Sequence, residues 1–141
     1  MQSSKRLLIG AAGLLMVAAA ATAIAGGPKT ATISADQPIV TMVNVITPKS
    51  GGQDDLVKAL EAGMASEMSK QPGFISASVL RSGDSEHVTV IAQWDRLESV
   101  AAAGKLIQSG GAPNMARAFT SAKPDYHRYK VISVHTAQKT N

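Results

Sequence analysis

The chain contains no cysteine. That absence excludes disulfides, zinc–thiolate sites, a thiol nucleophile and a lipid-modified N-terminal cysteine. Basic runs are missing as well. The formal net charge is +4, but Lys5 and Arg6 lie in a segment expected to be removed. Without them, 12 basic residues face 10 acidic ones. The basic residues stand singly, with no aromatic interleaving, so the footprint that nucleic acid requires is absent and no nucleic-acid partner is expected. Aromatic residues make up only 4%, with a single tryptophan, Trp94. No Ser-x-x-Lys, nucleophile elbow, phosphate loop or dinucleotide fingerprint occurs. No low-complexity tract or internal repeat follows the first segment, and no catalytic residue is named by the sequence.

What is present fits one globular domain: 141 residues, 45% of them hydrophobic and 17% charged. The first 25 residues read as an address. Lys5-Arg6 precedes an uncharged run from Leu7 to Ala25, which ends in the small-x-small pattern Ala23-Ile24-Ala25. This is the layout of a signal peptide, so residues 1–25 are expected to be removed and the protein to be periplasmic or secreted. The competing reading is a retained anchor, since the run is just long enough to span a bilayer. Alanine and glycine make a weak anchor, so no stable membrane span is expected after cleavage. Residues 26–37 read as a flexible lead-in and 38–137 as the domain.

Within that domain, Ile39 to Thr47 is β-branched and apolar on both faces, the pattern of a strand buried on both sides. Pro48 to Gly52 breaks it. A helix is predicted from Gln53 to Lys70, with Asp54 and Asp55 at its positive end and Val57, Leu60, Met64 and Met68 as its buried stripe. Gln71-Pro72-Gly73 stops it. Phe74–Arg81 and Glu86–Trp94 read as a hairpin, with Arg81 expected to meet Asp84 in the turn. Asp95 is expected to start a second helix, with Glu98 as its capping partner. A short helical piece is predicted over Asn114–Phe119 and a final strand over Tyr126–His135. The order is β-α-β-β-α-β, an α+β ferredoxin-like unit. Its two helices cover one sheet face, and pairing as a homodimer is the economical way to cover the other.

Three stretches carry a resemblance: Val43-Asn44-Val45-Ile46-Thr47 before a Gly-rich turn, Gln71-Pro72-Gly73-Phe74 leading into a strand, and Ile91-Ala92-Gln93-Trp94-Asp95. In this order and spacing, residues 39–136 resemble the antibiotic biosynthesis monooxygenase superfamily. The resemblance implies a dimeric α/β barrel. It also implies relatives that oxygenate quinols and polycyclic phenols without a cofactor, and others that bind and open haem. By resemblance, Trp94 lines a pocket where a flat aromatic ligand stacks. Asn44 matches a functional asparagine of the haem-degrading members. The histidine those members carry in the second helix is missing from Val100-Ala101-Ala102-Ala103-Gly104-Lys105. The asparagine and tyrosine that the aromatic oxygenases often carry are replaced by Val90 and Val100.

The substrate-binding candidates are therefore Trp94, Asn44, Gln93, Tyr126 and His127. Trp94 also reads as an ordinary core anchor, and Asn44 as a strand asparagine with local partners. Gln93 alternates with Trp94, so it either orients a ligand or faces a second subunit. Tyr126 and His127 read as a pocket mouth or as plain sheet surface. His127 and His135 lie about 26 Å apart at ~3.3 Å per residue and cannot share a metal, so no metal site is expected. The first functional expectation is a cofactor-independent monooxygenase of a small quinol or phenol, which needs no cofactor. The alternatives are a non-catalytic periplasmic dimer binding an apolar aromatic ligand, and an atypical haem binder using His127 or Tyr126.

Overall fold

The computed structural model describes residues 29–138. The predicted signal peptide and the start of the lead-in lie outside the described residues. The first strand, β1 (Val40–Pro48), is followed by α1 (Gly52–Ser66) and a 3-10 turn over Met68–Lys70. Then come β2 (Phe74–Arg81), β3 (Val88–Trp94), α2 (Leu97–Gln108), α3 (Pro113–Thr120) and β4 (Ala122–Tyr129). The four strands form one antiparallel sheet in the order β2-β3-β1-β4. This is the ferredoxin-like α+β fold. Central β1 pairs along both edges, but it is not buried on both faces as its sequence suggests: the inner face meets the helices, whereas Val45 on the outer face is exposed.

Register assigns each side chain to a face. Met42, Asn44 and Ile46 of β1 stand beside Ala92, Val90 and Val88 of β3. On the other side, Asn44 faces Tyr126 across the β1–β4 pair. This inner face meets the helices and holds Ile46, Val88, Val90, Ala92 and Trp94, all buried. Thr41, Val43 and Val45 point the opposite way, with Gln93, Ile91 and Thr89.

Two glycines set how closely the layers approach. Gly63 of α1 lies against α3, and a Cβ there would fall 2.5 Å from the Met115 sulfur. Gly73 has φ +81°, open to glycine at no steric cost, and a Cβ there would overlap the Asp95 carboxylate and the Ser99 hydroxyl. Its carbonyl accepts the Asp95 N–H at 2.8 Å. The Pro72-Gly73-Phe74 and Gln93-Trp94-Asp95 stretches, distant in sequence, are thus one packed corner. There the Phe74 and Trp94 rings meet edge to face, with centroids 5.2 Å apart.

Several expectations need correction. The buried stripe of α1 is Leu56, Ala59, Leu60 and Gly63; Val57 and Met64 are only partly buried. The helix is rotated because small residues let α3 pack close. It also ends at Ser66, where Glu67 turns aside. Glu98 does not cap α2: the N-cap is Arg96 without a side-chain bond, and Asp95 accepts the Ser99 hydroxyl at 2.6 Å. Arg81 pairs with Asp54 of α1 rather than with Asp84, which accepts from Ser82. The last strand is Ala122–Tyr129, not Tyr126–His135. Its partner β1 supplies pairing sites from Pro48 to Thr41 only. Beyond Tyr129 no neighbouring strand remains, and Ile132 is left 75% exposed despite its β propensity. His135 therefore lies outside the sheet.

Candidate functional site

A cavity of about 540 Å³ opens between the inner sheet face and the helices. It exists because α2 presents small residues to it: Ala101, Ala103 and Gly104 line the wall, and a Cβ on Gly104 would meet nothing within 4 Å. Trp94 and Phe74 form an aromatic wall, while Val90, Ala92 and Val100 complete the apolar lining. Among the described residues there are four methionines, Met42, Met64, Met68 and Met115, and all four line this space. Thioether side chains are unbranched and polarizable, so such a lining adapts to flat ring systems. The volume lies in the range that holds a drug-sized ligand.

Asn44 is the polar exception on this wall. It is 9% exposed, and its carbonyl oxygen Oδ1 is buried without any hydrogen-bond partner. Leaving a buried acceptor unpaired costs about 1–3 kcal/mol. The strand asparagine is therefore not satisfied locally. Asn44 lines the cavity, but Oδ1 itself is shielded from it.

The five sequence candidates separate by face. Trp94, Asn44 and Tyr126 come together around the cavity, with Trp94 and Asn44 buried and Tyr126 exposed on its rim. Gln93 does not line it. It sits on the outer sheet face, 3% exposed, where Oε1 accepts the Ser76 hydroxyl at 2.8 Å and Nε2 has no partner. His127 also points outward, exposed, with Nε2 3.0 Å from Asp125 Oδ1. It lines a shallower groove that adjoins the cavity. The ligand-orienting reading of Gln93 is set aside by this geometry. Its alternative, a position facing a second subunit, agrees with it.

The methionines and Glu67 escaped the sequence reading. Met64 and Met68 read as an ordinary helical stripe, and nothing local links them to Met42 or Met115. Glu67 is buried just past α1 and accepts three hydrogen bonds from the start of α3. These come from Asn114 N–H (2.8 Å), the Asn114 side-chain amide (2.8 Å) and Met115 N–H (3.0 Å). Burial raises the Glu67 pKa, but the bonds from the Asn114 and Met115 backbone and the Asn114 side chain outweigh it. The net value lies below the usual 4.5. The carboxylate thereby fixes Met115 and one end of the cavity.

No histidine or cysteine borders the cavity; of the residue types that ligate haem iron, its lining holds Tyr126 and the four methionines. The His127 side chain points to the outer sheet face, at the border of the adjoining groove. No group of three metal-ligating side chains occurs among the described residues, nor is any of their helices long and apolar enough to cross a membrane.

A four-stranded antiparallel sheet carrying three helices on one face, with an apolar ligand-sized chamber between the layers, defines a ferredoxin-like pocket protein. Residues 39–105 match the antibiotic biosynthesis monooxygenase family. Similar folds include SnoaB of Streptomyces nogalater, a cofactor-independent oxygenase (24% identity, TM-score 0.57, 74% of this chain and 97% of that one). A Chloroflexus aurantiacus protein assigned to antibiotic biosynthesis monooxygenases is similar at 19% identity and TM-score 0.53, over 70% of this chain and 97% of that one. PA3566 of Pseudomonas aeruginosa is similar at 12% identity and TM-score 0.55, over 69% and 97%. No protein of curated function matches the sequence significantly.

Proposed function

We propose that this protein is an exported, cofactor-independent monooxygenase acting on a small quinol or phenol held in the cavity. One observation carries the reading: an apolar chamber walled by Trp94 and Phe74, with the side chain of Asn44 in its lining. An electron-rich phenol reduces oxygen itself, so the protein's contribution is to exclude water, stack the ring and hold it by its hydroxyl. Trp94 supplies the stacking surface. The Asn44 amide hydrogen-bonds the substrate hydroxyl, and Tyr126 on the rim closes the mouth. Titratable catalysts are not needed for this role. The family match of residues 39–105 and the likeness to a cofactor-independent oxygenase support the reading.

A homodimer completes the proposal. Val45, Leu80 and Tyr129 are exposed apolar or aromatic side chains on the outer sheet face, around the unpaired Nε2 of Gln93. A second copy covering that face buries them. Export rests on the leader sequence alone.

The test is oxygen uptake by the purified protein with a menadiol-type quinol, corrected for autoxidation, beside Trp94→Ala. Uptake above the blank that falls in the variant supports the reading, and uptake equal to the blank sinks it. A second reading, a dimer that sequesters an aromatic ligand without turnover, is favoured by Val90 and Val100. Both line the cavity where the aromatic oxygenases often carry polar side chains. Ligand retained without turnover in native mass spectrometry identifies that case.

A further inference from the structure

The cavity is polarised along its length. Its inner wall carries the uncharged amide of Asn44. At its opening the exposed Lys105 of α2 lines the cavity. The adjoining groove shares Met42, Val100, Ala101 and Tyr126 with the cavity, so it forms a vestibule to the same space. Arg128 and His127 line that vestibule. Among the described residues, no aspartate or glutamate borders either space, and neither Lys105 nor Arg128 forms an ion pair. His127 already has the Asp125 carboxylate at 3.0 Å. The two free cations thus flank the entrance to an apolar chamber whose lining carries one uncharged amide.

We infer that the ligand is a hydroxyaryl carboxylic acid, with the ring in the chamber, its hydroxyl beside the Asn44 amide and the ionised carboxylate at the mouth on Lys105 and Arg128. This rests on the proposed reading of the cavity as the substrate site and adds the charge of the substrate. A carboxylate at the entrance keeps its hydration on one side while meeting cations of opposite sign. Such a rim contact costs little desolvation and selects by charge. The apolar walls of Trp94, Phe74 and the methionines take the ring, and neither they nor the uncharged Asn44 amide offers a carboxylate a cation. The orientation is therefore fixed: hydroxyl inward, carboxylate outward.

Isothermal titration calorimetry with 6-hydroxy-2-naphthoate and 2-naphthol tests this on the wild type, Lys105→Gln, Arg128→Gln and the double variant. The expected result is tighter binding of the naphthoate by about fivefold at low salt, the scale of an exposed charge pair. That preference shrinks in each single variant and disappears in the double variant. It also fades at high ionic strength, where exposed pairs are screened. Binding of 2-naphthol is unchanged by the substitutions, which shows that the cavity itself is intact. Equal affinity for the two probes overturns the inference, as does a preference that survives the double variant or a failure of both probes to bind. Oxygen uptake with a dihydroxynaphthalene on the same samples separates the two readings. Carboxylate selectivity without uptake sustains the inference while removing the monooxygenase. Uptake without selectivity does the reverse.

Discussion

Glu67→Gln is the substitution whose consequence follows most directly from the structure. Glu67 Oε1 accepts two bonds from Asn114, and Oε2 accepts the Met115 N–H. Glutamine keeps one acceptor and turns an amide group toward a donor, so at least one buried N–H loses its partner, a cost of about 1–3 kcal/mol. The negative charge at the start of α3 is also lost, worth about 0.3–1 kcal/mol. The sum is about 1–4 kcal/mol, a large part of a small domain's stability.

The pH dependence gives a second, independent check. The folded-state pKa of Glu67 lies below its ordinary 4.5. Its contribution is therefore full above the unfolded value and is lost as pH falls through the folded value. Urea denaturation of wild type and variant, at pH 7 and at steps down to pH 3, should show a gap that is widest at neutral pH and narrows below about 4.5. A gap under about 0.5 kcal/mol at pH 7, or one of constant size across the range, would refute the capping argument.

Three other perturbations bear on the site and its supports. Gly73→Ala should lower stability by about 2–4 kcal/mol, because it adds a Cβ at positive φ and against the Asp95 carboxylate; an unchanged thermal midpoint would contradict the packed corner. Asn44→Leu should leave stability equal or raise it by about 1 kcal/mol, since it removes an orphaned acceptor, while weakening 2-naphthol binding; a destabilised variant with normal binding would show that the amide serves the fold. Val45→Lys with Leu80→Lys should give a folded monomer in sedimentation velocity, because both side chains lie on the outer sheet face. A dimer that persists would place the contact elsewhere.

The order of elements was legible because burial imprints a local period. The β-branched, largely apolar run of β1 announced a strand, and the hairpin of β2 and β3 announced itself by its turn. Trp94 and Asn44 stood out as the lone tryptophan and as a polar residue on an apolar strand. The end of β4 was not legible, because Val131 to Val134 has the propensity of a strand and only the limit of β1 denies it a partner. The rotation of α1 depended on Gly63 admitting Met115, and the partner of Arg81 on where α1 comes to lie.

By itself, the sequence determined a β-α-β-β-α-β chain with an apolar, methionine-bearing interior and an asparagine set in an apolar strand. Tertiary structure alone decided that four methionines from a strand, a helix, a 3-10 turn and a third helix share one chamber with that amide. It also decided that Gln93 and His127 turn away from it. The reason is register. Period fixes which side chains of one element share a face, but only the pairing of β1 with β3 and β4 determines whose neighbours those faces become.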